Sequence, residues 1–337
     1  MFKEWVKDDH LTVVANPSYF KGKPHLASYI LKVIPDLAAG FAQLKTGDVD
    51  YASIQASQMA EAKKLTNVNA INFDVFNFDF IAFNLDNSKS PFFQDKNVRQ
   101  ALLMALDRKA IVESQYFGYA TLANSPMPNI SWAFNKDNKP VYAYDPKQAA
   151  AMLDAAGWKL GSDGIRAKDG KRFSFTLWTN AGNNIREAII VAAQDYWKQV
   201  GVEVKTQTEE WNAFLKRIGA TPDGTRDYDA FLVGFSWGVD PSQKDMWASE
   251  GGFNLNKYKN PEMDKLLDDA LNTLDQSKRK DFYVRMQQIV NEDVPSMILY
   301  FPQSTIGVSK RVNGYKPAPG NIPWNNVQDW WVGAKTQ

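Results

Sequence analysis

Phe235, Ser236, Trp237 and Asp240 fall within one short stretch, Gly234-Phe-Ser-Trp-Gly-Val-Asp-Pro241. The apolar run Asp229-Ala-Phe-Leu-Val233 leads into it and reads as a strand. Gly234 and Gly238 loosen the backbone there, and Pro241 ends any pairing. Two rings, a hydroxyl and a carboxylate are thus left at the carboxyl end of a strand, where open α/β sheets bind their ligands. An ordinary strand-to-loop exit whose tryptophan plugs a core is the other reading. Asn180 and Asn183, in Thr179-Asn-Ala-Gly-Asn-Asn184, follow an earlier strand and point at the same cleft. Reactive chemistry has less material. There is no cysteine, and the only histidines are His10 and His25, so thiol, thiolate-metal and histidine-dependent catalysis are poorly supplied. No Gly-x-Ser-x-Gly, P-loop or His-Glu-x-x-His motif occurs, and no pair of carboxylates is spaced to sit over one cleft. The expectation is recognition without catalysis, metal or cofactor.

Composition supports that direction. Lys plus Arg (39) nearly cancels Asp plus Glu (38), and a net charge of +1 gives no electrostatic case for nucleic acid or an anionic membrane. No apolar run reaches the roughly 18 residues of a membrane span, and Met1-Phe-Lys-Glu-Trp-Val-Lys-Asp-Asp9 is too charged for a secretory signal. Aromatic residues are plentiful, with Trp 11, Tyr 13 and Phe 20. Tryptophan beside loop glycines favours flexible or sugar-like ligands held by stacking and apolar contact.

The elements that must position these groups are legible as a βαβαβ run. Strands are predicted over 173–179, 202–208 and 228–235, with helices over 185–200 and 211–218 between them. Right-handed crossovers then make the sheet parallel. Upstream, 11–15 and 28–34 read as strands, 37–45 as a helix opened by Pro35 or Asp36 and stopped by Gly47, 48–51 as a short extended piece and 55–65 as a helix. The segments 69–76 and 78–85 are extended, with Phe76-Asn-Phe78 as a hinge between lobes, and Asn77 there is a candidate cleft residue. Helices follow over 96–106, 108–116 (capped by Asp107) and 147–156 (capped by Asp145), with loop between 120 and 144. Two more helices, 261–274 and 276–290, precede a strand at 295–308, and the tryptophan-rich C-terminus is expected to pack on the N-terminal sheet.

Several stretches, in order along nearly the whole chain, resemble the family 5 extracellular solute-binding proteins of ABC importers, the oligopeptide binders most of all. They are Phe2-Lys-Glu-Trp5, Ala15-Asn-Pro-Ser-Tyr-Phe-Lys-Gly-Lys-Pro24, Lys45-Thr-Gly-Asp-Val-Asp50 and Phe83-Asn84. Lys96-Asn-Val-Arg-Gln-Ala-Leu102, Ala105-Leu-Asp-Arg108, Leu153-Asp-Ala-Ala-Gly-Trp158, Thr179-Asn-Ala-Gly-Asn183, Trp237-Gly-Val-Asp-Pro241 and Tyr258-Lys-Asn-Pro-Glu-Met-Asp264 complete them. The resemblance implies an α/β, periplasmic-binding-protein-like type II (cluster C) fold. It also implies a largely complete C-terminal lobe over 80–309 and a partial N-terminal lobe from 1–79 and 310–337, the family's usual N-terminal portion being absent. A half-built lobe would expose sheet edges, which invites homo-oligomers. The implied function is capture of oligopeptides or dipeptides outside the cytoplasm, in the periplasm or at the cell surface, for delivery to ABC permease subunits. Carried over by residue, Asp240 would pair with a peptide's α-amino group, or serve as a turn-former before Pro241. Trp237 and Phe235 would wall side-chain pockets or belong to the core, with Ser236 between them. Asn180 and Asn183 would hydrogen-bond ligand backbone or shape a turn. An oligosaccharide binder of the same family, a non-binding fragment and a carboxylate glycosidase are the competing readings.

Overall fold

Parallel pairing is what the central βαβαβ run produces, and it is found where the sequence places it. The computed structural model describes residues 1–138, 142–320 and 324–333, so parts of the expected C-terminal segment lie outside the described residues. The chain divides into two units, one of residues 1–75, 116–119 and 303–337 and one of residues 76–115 and 120–302.

The first unit opens with three antiparallel strands, β1 (Phe2–Val6), β2 (His10–Val14) and β3 (Ser28–Lys32), in that order. Phe2–Val6, too short to assign from its pattern, is a strand because β2 lies beside it. Helix α1 (Leu37–Thr46) is capped by Asp36, whose carboxylate accepts from the Ala39 N–H at 2.7 Å, and Gly47 closes it in the left-handed region. β4 (Tyr51–Ser53) follows, starting three residues later than the extended piece the sequence suggests. The helix expected over 55–65 shrinks to α2 (Met59–Ala62) behind a single 3₁₀ turn. Only Met59 and Ala62 in that run are buried, and packing rather than propensity sustains a short helix. β5 (Val68–Asp74) ends the stretch.

The second unit begins with β6 (Asn77–Phe83), then α3 (Lys96–Met104) and α4 (Arg108–Tyr116). Asp107 accepts from the Ala110 N–H at 2.9 Å, as a cap should. Ala120–Leu122, read as loop, is strand β7, held by antiparallel pairing with residues 300–302 that no local pattern signals. α5 (Pro146–Ala155) carries its Asp145 cap. A small meander, β8 (Lys159–Leu160), β9 (Arg166–Lys168) and β10 (Lys171–Arg172), leads to the main run. That run is β11 (Ser174–Asn180), α6 (Asn184–Gln199), β12 (Glu203–Glu209), α7 (Trp211–Ile218) and β13 (Ala230–Ser236). β11 lies between β12 and β13 and is parallel to both, while β6 enters antiparallel beside β13. Short α8 (Lys244–Trp247), α9 (Pro261–Leu271) and α10 (Gln276–Asp293) cover one face of that sheet. Their apolar sides join Phe80, Phe231, Trp247 and Tyr283 in a core whose members are nearly all inaccessible to water.

β14 (Ser296–Ser309) starts beside β6 in the second unit and continues in the first, where it pairs with β4 and β5. β15 (Val312–Asn313) and β16 (Trp331–Val332) close the chain as a two-stranded ladder. The C-terminal tryptophans do meet the opening sheet. The Trp324 indole N–H donates to the Tyr29 hydroxyl at 3.1 Å, and Trp330 packs at 6.1 Å from the same ring. Among the described residues no helix is long and apolar enough to cross a membrane.

Candidate functional site

Alternation along β13 sorts the candidate residues into two groups. Gly234 stands opposite Asp79, Phe235 opposite Phe78, and Ser236 opposite Asn77. Directly opposed residues share a face, and neighbours along a strand do not. Phe235 therefore belongs to the face that carries Phe78, and Ser236 and Asn77 to the face that carries Asp79.

On the Phe235 face the backbone continues into Trp237, whose N–H donates to the Phe76 carbonyl at 2.9 Å. The Trp237 ring lies 4.5 Å from Phe235 and 6.4 Å from Phe78, and Phe253 meets Phe235 edge-on at 5.0 Å. Phe235 and Trp237 pack against the core while remaining half-buried, whereas Phe78 is fully buried and Phe253 is exposed. The Trp237 indole N–H is buried and meets no acceptor among the described residues, a cost of about 1–3 kcal/mol for a donor left unmade. The turn beyond it is open, with Val239 58% exposed.

Asp240 is not a free carboxylate. Arg279 of α10 grips it with two hydrogen bonds, 3.1 and 3.2 Å long, and the Ser242 N–H donates to it at 2.9 Å. Arg279 also donates to the Tyr283 hydroxyl at 2.8 Å and lies over the Trp132 ring. Burial alone would raise the Asp240 carboxyl, but the Arg279 and Ser242 hydrogen bonds outweigh it and hold it below its ordinary value. Arg279 is correspondingly held above its own, chiefly by the hydrogen bond to Asp240. Since the Asp240 side chain is 60% exposed, the pair adds only about 0.2–1 kcal/mol of stability. That contribution is complete above about pH 4 and is lost as pH falls through the lowered folded-state value. Nothing in the local sequence signals Arg279, which lies on another element.

The other face carries a polar network that the sequence reading missed. Asp79 accepts from Arg186 Nε at 3.3 Å, from Arg186 Nη2 at 3.2 Å and from the Tyr300 hydroxyl at 2.6 Å. Arg186 Nη1 donates to Asn180 Oδ1 at 2.9 Å. Asn183 is the N-cap of α6, its side chain accepting the Arg186 N–H at 3.1 Å. One turn of helix thus places Arg186 over the ends of β11 and β6, and both asparagines are already engaged in holding it. The hint available in the sequence was the Asn183 cap followed by an arginine, but its acidic partner is 107 residues away.

Gly234 is where this network meets the sheet. A Cβ there would collide with both Asp79 Oδ1 and Arg186 Nη2. Gly234→Ala is expected to cost about 1–3 kcal/mol by overpacking, with the urea midpoint as the measurement. A variant as stable as the parent would show that the ion pair can shift aside. His10, the histidine with charged neighbours, binds Asp9 at 2.7 Å on the opening sheet of the first unit. Among the described residues no group of three or more acidic, histidine or cysteine side chains is arranged to hold a metal.

The arrangement presents half-buried rings on one face and, in the turn beyond, a carboxylate paired with Arg279. The family model for bacterial extracellular solute-binding proteins, family 5 Middle, matches residues 1–257. The oligopeptide-binding protein AppA of Bacillus subtilis (strain 168) is 38% identical over 336 residues, spanning 98% of this chain and 61% of that protein. The heme-binding protein A of Haemophilus influenzae is 28% identical, spanning 95% of this chain and 56% of the relative. Among solved structures, the Bacillus subtilis AppA complex with a nonapeptide matches with a TM-score of 0.84 over 98% of this chain and 66% of the other. NikZ from Campylobacter jejuni, in complex with Ni(L-His), matches with the same TM-score at 28% identity, over 98% and 66%. The chain therefore spans less than two thirds of the length of these relatives.

Proposed function

Because the chain belongs to the family 5 bacterial extracellular solute-binding proteins and has their type II periplasmic-binding fold, we propose that it captures peptides outside the cytoplasm for an ABC importer. The single observation that carries this reading is the kinship with an oligopeptide-binding protein, 38% identical over 98% of the chain. The geometry of the second unit agrees with it. Phe235 and Trp237 offer half-buried apolar rings, and Asp240, held on one side by Arg279, keeps a solvent-facing carboxylate for an amine. Rings that read no particular side chain suit a ligand recognised by its backbone, with water filling the remaining space. Ligand contacts would stabilise a closed state over an open one, and membrane permease subunits would receive the cargo. The role is binding rather than turnover.

Titration calorimetry and tryptophan quenching with peptides of two to nine residues, and separately with oligosaccharides, test the proposal. Saturable peptide binding without product is the expected result. Binding of sugars but not peptides, or hydrolysis of either, would overturn it. Within this reading, Asp240→Asn should weaken peptides with a free amino terminus by about 1–3 kcal/mol, the range for a hydrogen bond to a charged group. N-acetylated peptides should bind both forms alike. Equal affinity of the free-amine peptide for both forms would remove Asp240 from the site.

A further inference from the structure

A groove of about 700 Å³ lies on the second unit, beyond the end of β6 remote from Asn77, between the start of α3 and the loop that leads into α9. Four cations line it, Lys96, Arg99, Lys257 and Lys259, against the two carboxylates of Asp86 and Asp293, which leaves an excess of two positive charges. The carboxylates are already engaged. Asp293 accepts from the Tyr258 hydroxyl at 2.6 Å and the Asn260 amide at 3.1 Å, with Lys96 at 3.8 Å. Asp86 accepts from the Ser88 hydroxyl at 2.6 Å and the Ser88 N–H at 2.9 Å. Arg99 supplies charge but little reach, since its hydrogen bonds go to backbone carbonyls. Lys257 and Lys259 are exposed, and neither makes a hydrogen bond or close ion pair with a described residue.

The backbone presents these two lysines under strain. Lys257 sits at φ +62°, in the left-handed region that glycine fills freely and lysine seldom enters. Its neighbours impose that conformation. Asn256 is buried, its amide donating to the Pro295 carbonyl at 2.8 Å and its carbonyl accepting the Leu85 N–H at 2.9 Å. Tyr258 is buried as well, its N–H and its carbonyl both bonded to the Asn254 side chain, at 3.0 and 2.7 Å. Fixed on either side, the chain turns Lys257 and Lys259 outward while Asn256 and Tyr258 face in. Glycine would serve the fold better at position 257, and strain that the surroundings over-determine points to a use for the side chain.

We infer that this groove binds a phosphoryl dianion carried on a longer ligand, with Lys257 and Lys259 as its direct contacts and Lys96 and Arg99 as supporting charge. An excess of two positive charges matches a dianion better than a single carboxylate. Rotatable ammonium groups suit a tetrahedral oxyanion, whereas a planar carboxylate is gripped best by an arginine fork, and the fork here is spent on carbonyls. The groove has far more room than one phosphate fills, so the anion is one end of something larger. The inference stands apart from the identity of any cargo held near Asp240.

Titration calorimetry at an ionic strength of about 20 mM, where surface charges are little screened, tests it with three probes: long-chain polyphosphate, orthophosphate and polyglutamate. The expected result is saturable binding of polyphosphate, with orthophosphate and polyglutamate each weaker by roughly tenfold or more. Lys257→Gln and Lys259→Gln should each weaken polyphosphate about fivefold and the pair roughly tenfold or more, the upper range for exposed charges. Lys147→Gln, an exposed lysine of α5, should leave it unchanged. Lys257→Gly should lose affinity as the glutamine variant does while its urea midpoint rises, a combination that a merely structural lysine would not give. Failure of polyphosphate to bind, or binding indifferent to the two lysines, would overturn the inference. Polyglutamate binding as tightly would overturn it in favour of an acidic protein segment, and orthophosphate binding as tightly in favour of the free ion. Peptide affinity, measured separately, should be the same in all these variants.

Discussion

Asp79→Ala is expected to destabilise the second unit by about 3–5 kcal/mol, the usual cost of removing one partner from a buried ion pair. The wild-type carboxylate is 7% exposed and accepts from Arg186 twice and from the Tyr300 hydroxyl once. Alanine would leave the guanidinium in a low-dielectric setting with Asn180 as its remaining side-chain partner among the described residues. The loss comes mostly from that stranded charge and less from the attraction itself. Two companions separate these contributions. Asp79→Asn keeps an acceptor and should cost less than alanine. The double replacement Asp79→Leu with Arg186→Met removes both charges and should recover more than half of the alanine loss, because the coupling between neighbours is large. Urea midpoints at unchanged slope are the measurement. A loss below about 1 kcal/mol for Asp79→Ala would mean that the pair behaves as an exposed one.

The second large effect is expected at Arg99, also about 3–5 kcal/mol for alanine. This side chain is 5% exposed, yet its hydrogen bonds go to backbone. Nε donates to the Asp293 and Val294 carbonyls at 3.0 and 2.9 Å, and Nη1 to the Phe93 and Gln94 carbonyls at 2.7 and 3.0 Å. The first two carbonyls close α10, whose last turn has no intrahelical donors to meet. Arg99 thus ties α3 to the end of α10, two residues before β14 begins. Burial pushes its pKa down to about 10, with the nearby Asp293 opposing the shift, so it remains charged at neutral pH. Arg99→Lys should recover little, since a single ammonium cannot reproduce a fork that serves carbonyls on two sides. Full stability of the lysine variant would show that charge alone matters at this position.

Both effects concern scaffolding, and they bear on function because the same elements carry the proposed site. β6 contributes Asp79 and Asn77, and β13 contributes Phe235 and Ser236. Slackening the Asp79–Arg186 pair frees the strand ends from which Trp237 and Asp240 depart. Peptide affinity should fall with stability in Asp79→Ala, but should fall without any stability loss in a variant that changes only ring contact.

The candidate site was legible in part. Phe235, Trp237 and Asp240 were recognisable as a cluster because they lie close together in sequence and follow a strand. Their division from Ser236 and Asn77 was not, since it depends on the register of β6 against β13. Asn183 had two readings, ligand contact or turn, and its side chain is spent on capping α6. The strand at Ala120–Leu122 differs from local expectation because its partner, residues 300–302, is far away in the chain, and the helix at Met59–Ala62 is shortened because only those two residues of the run are buried.

What this sequence determines by itself is everything settled within a few residues. The caps at Asp36, Asp107 and Asp145, the left-handed stop at Gly47 and the helix of Trp211–Ile218 all follow from short-range hydrogen bonding and periodicity. Only the tertiary structure decides which charges meet. Whether Asp240 faces Arg279, or Asp79 faces Arg186, depends on which elements lie side by side. That adjacency is fixed by burial of whole faces, a non-directional force that leaves no mark at the individual positions it brings together.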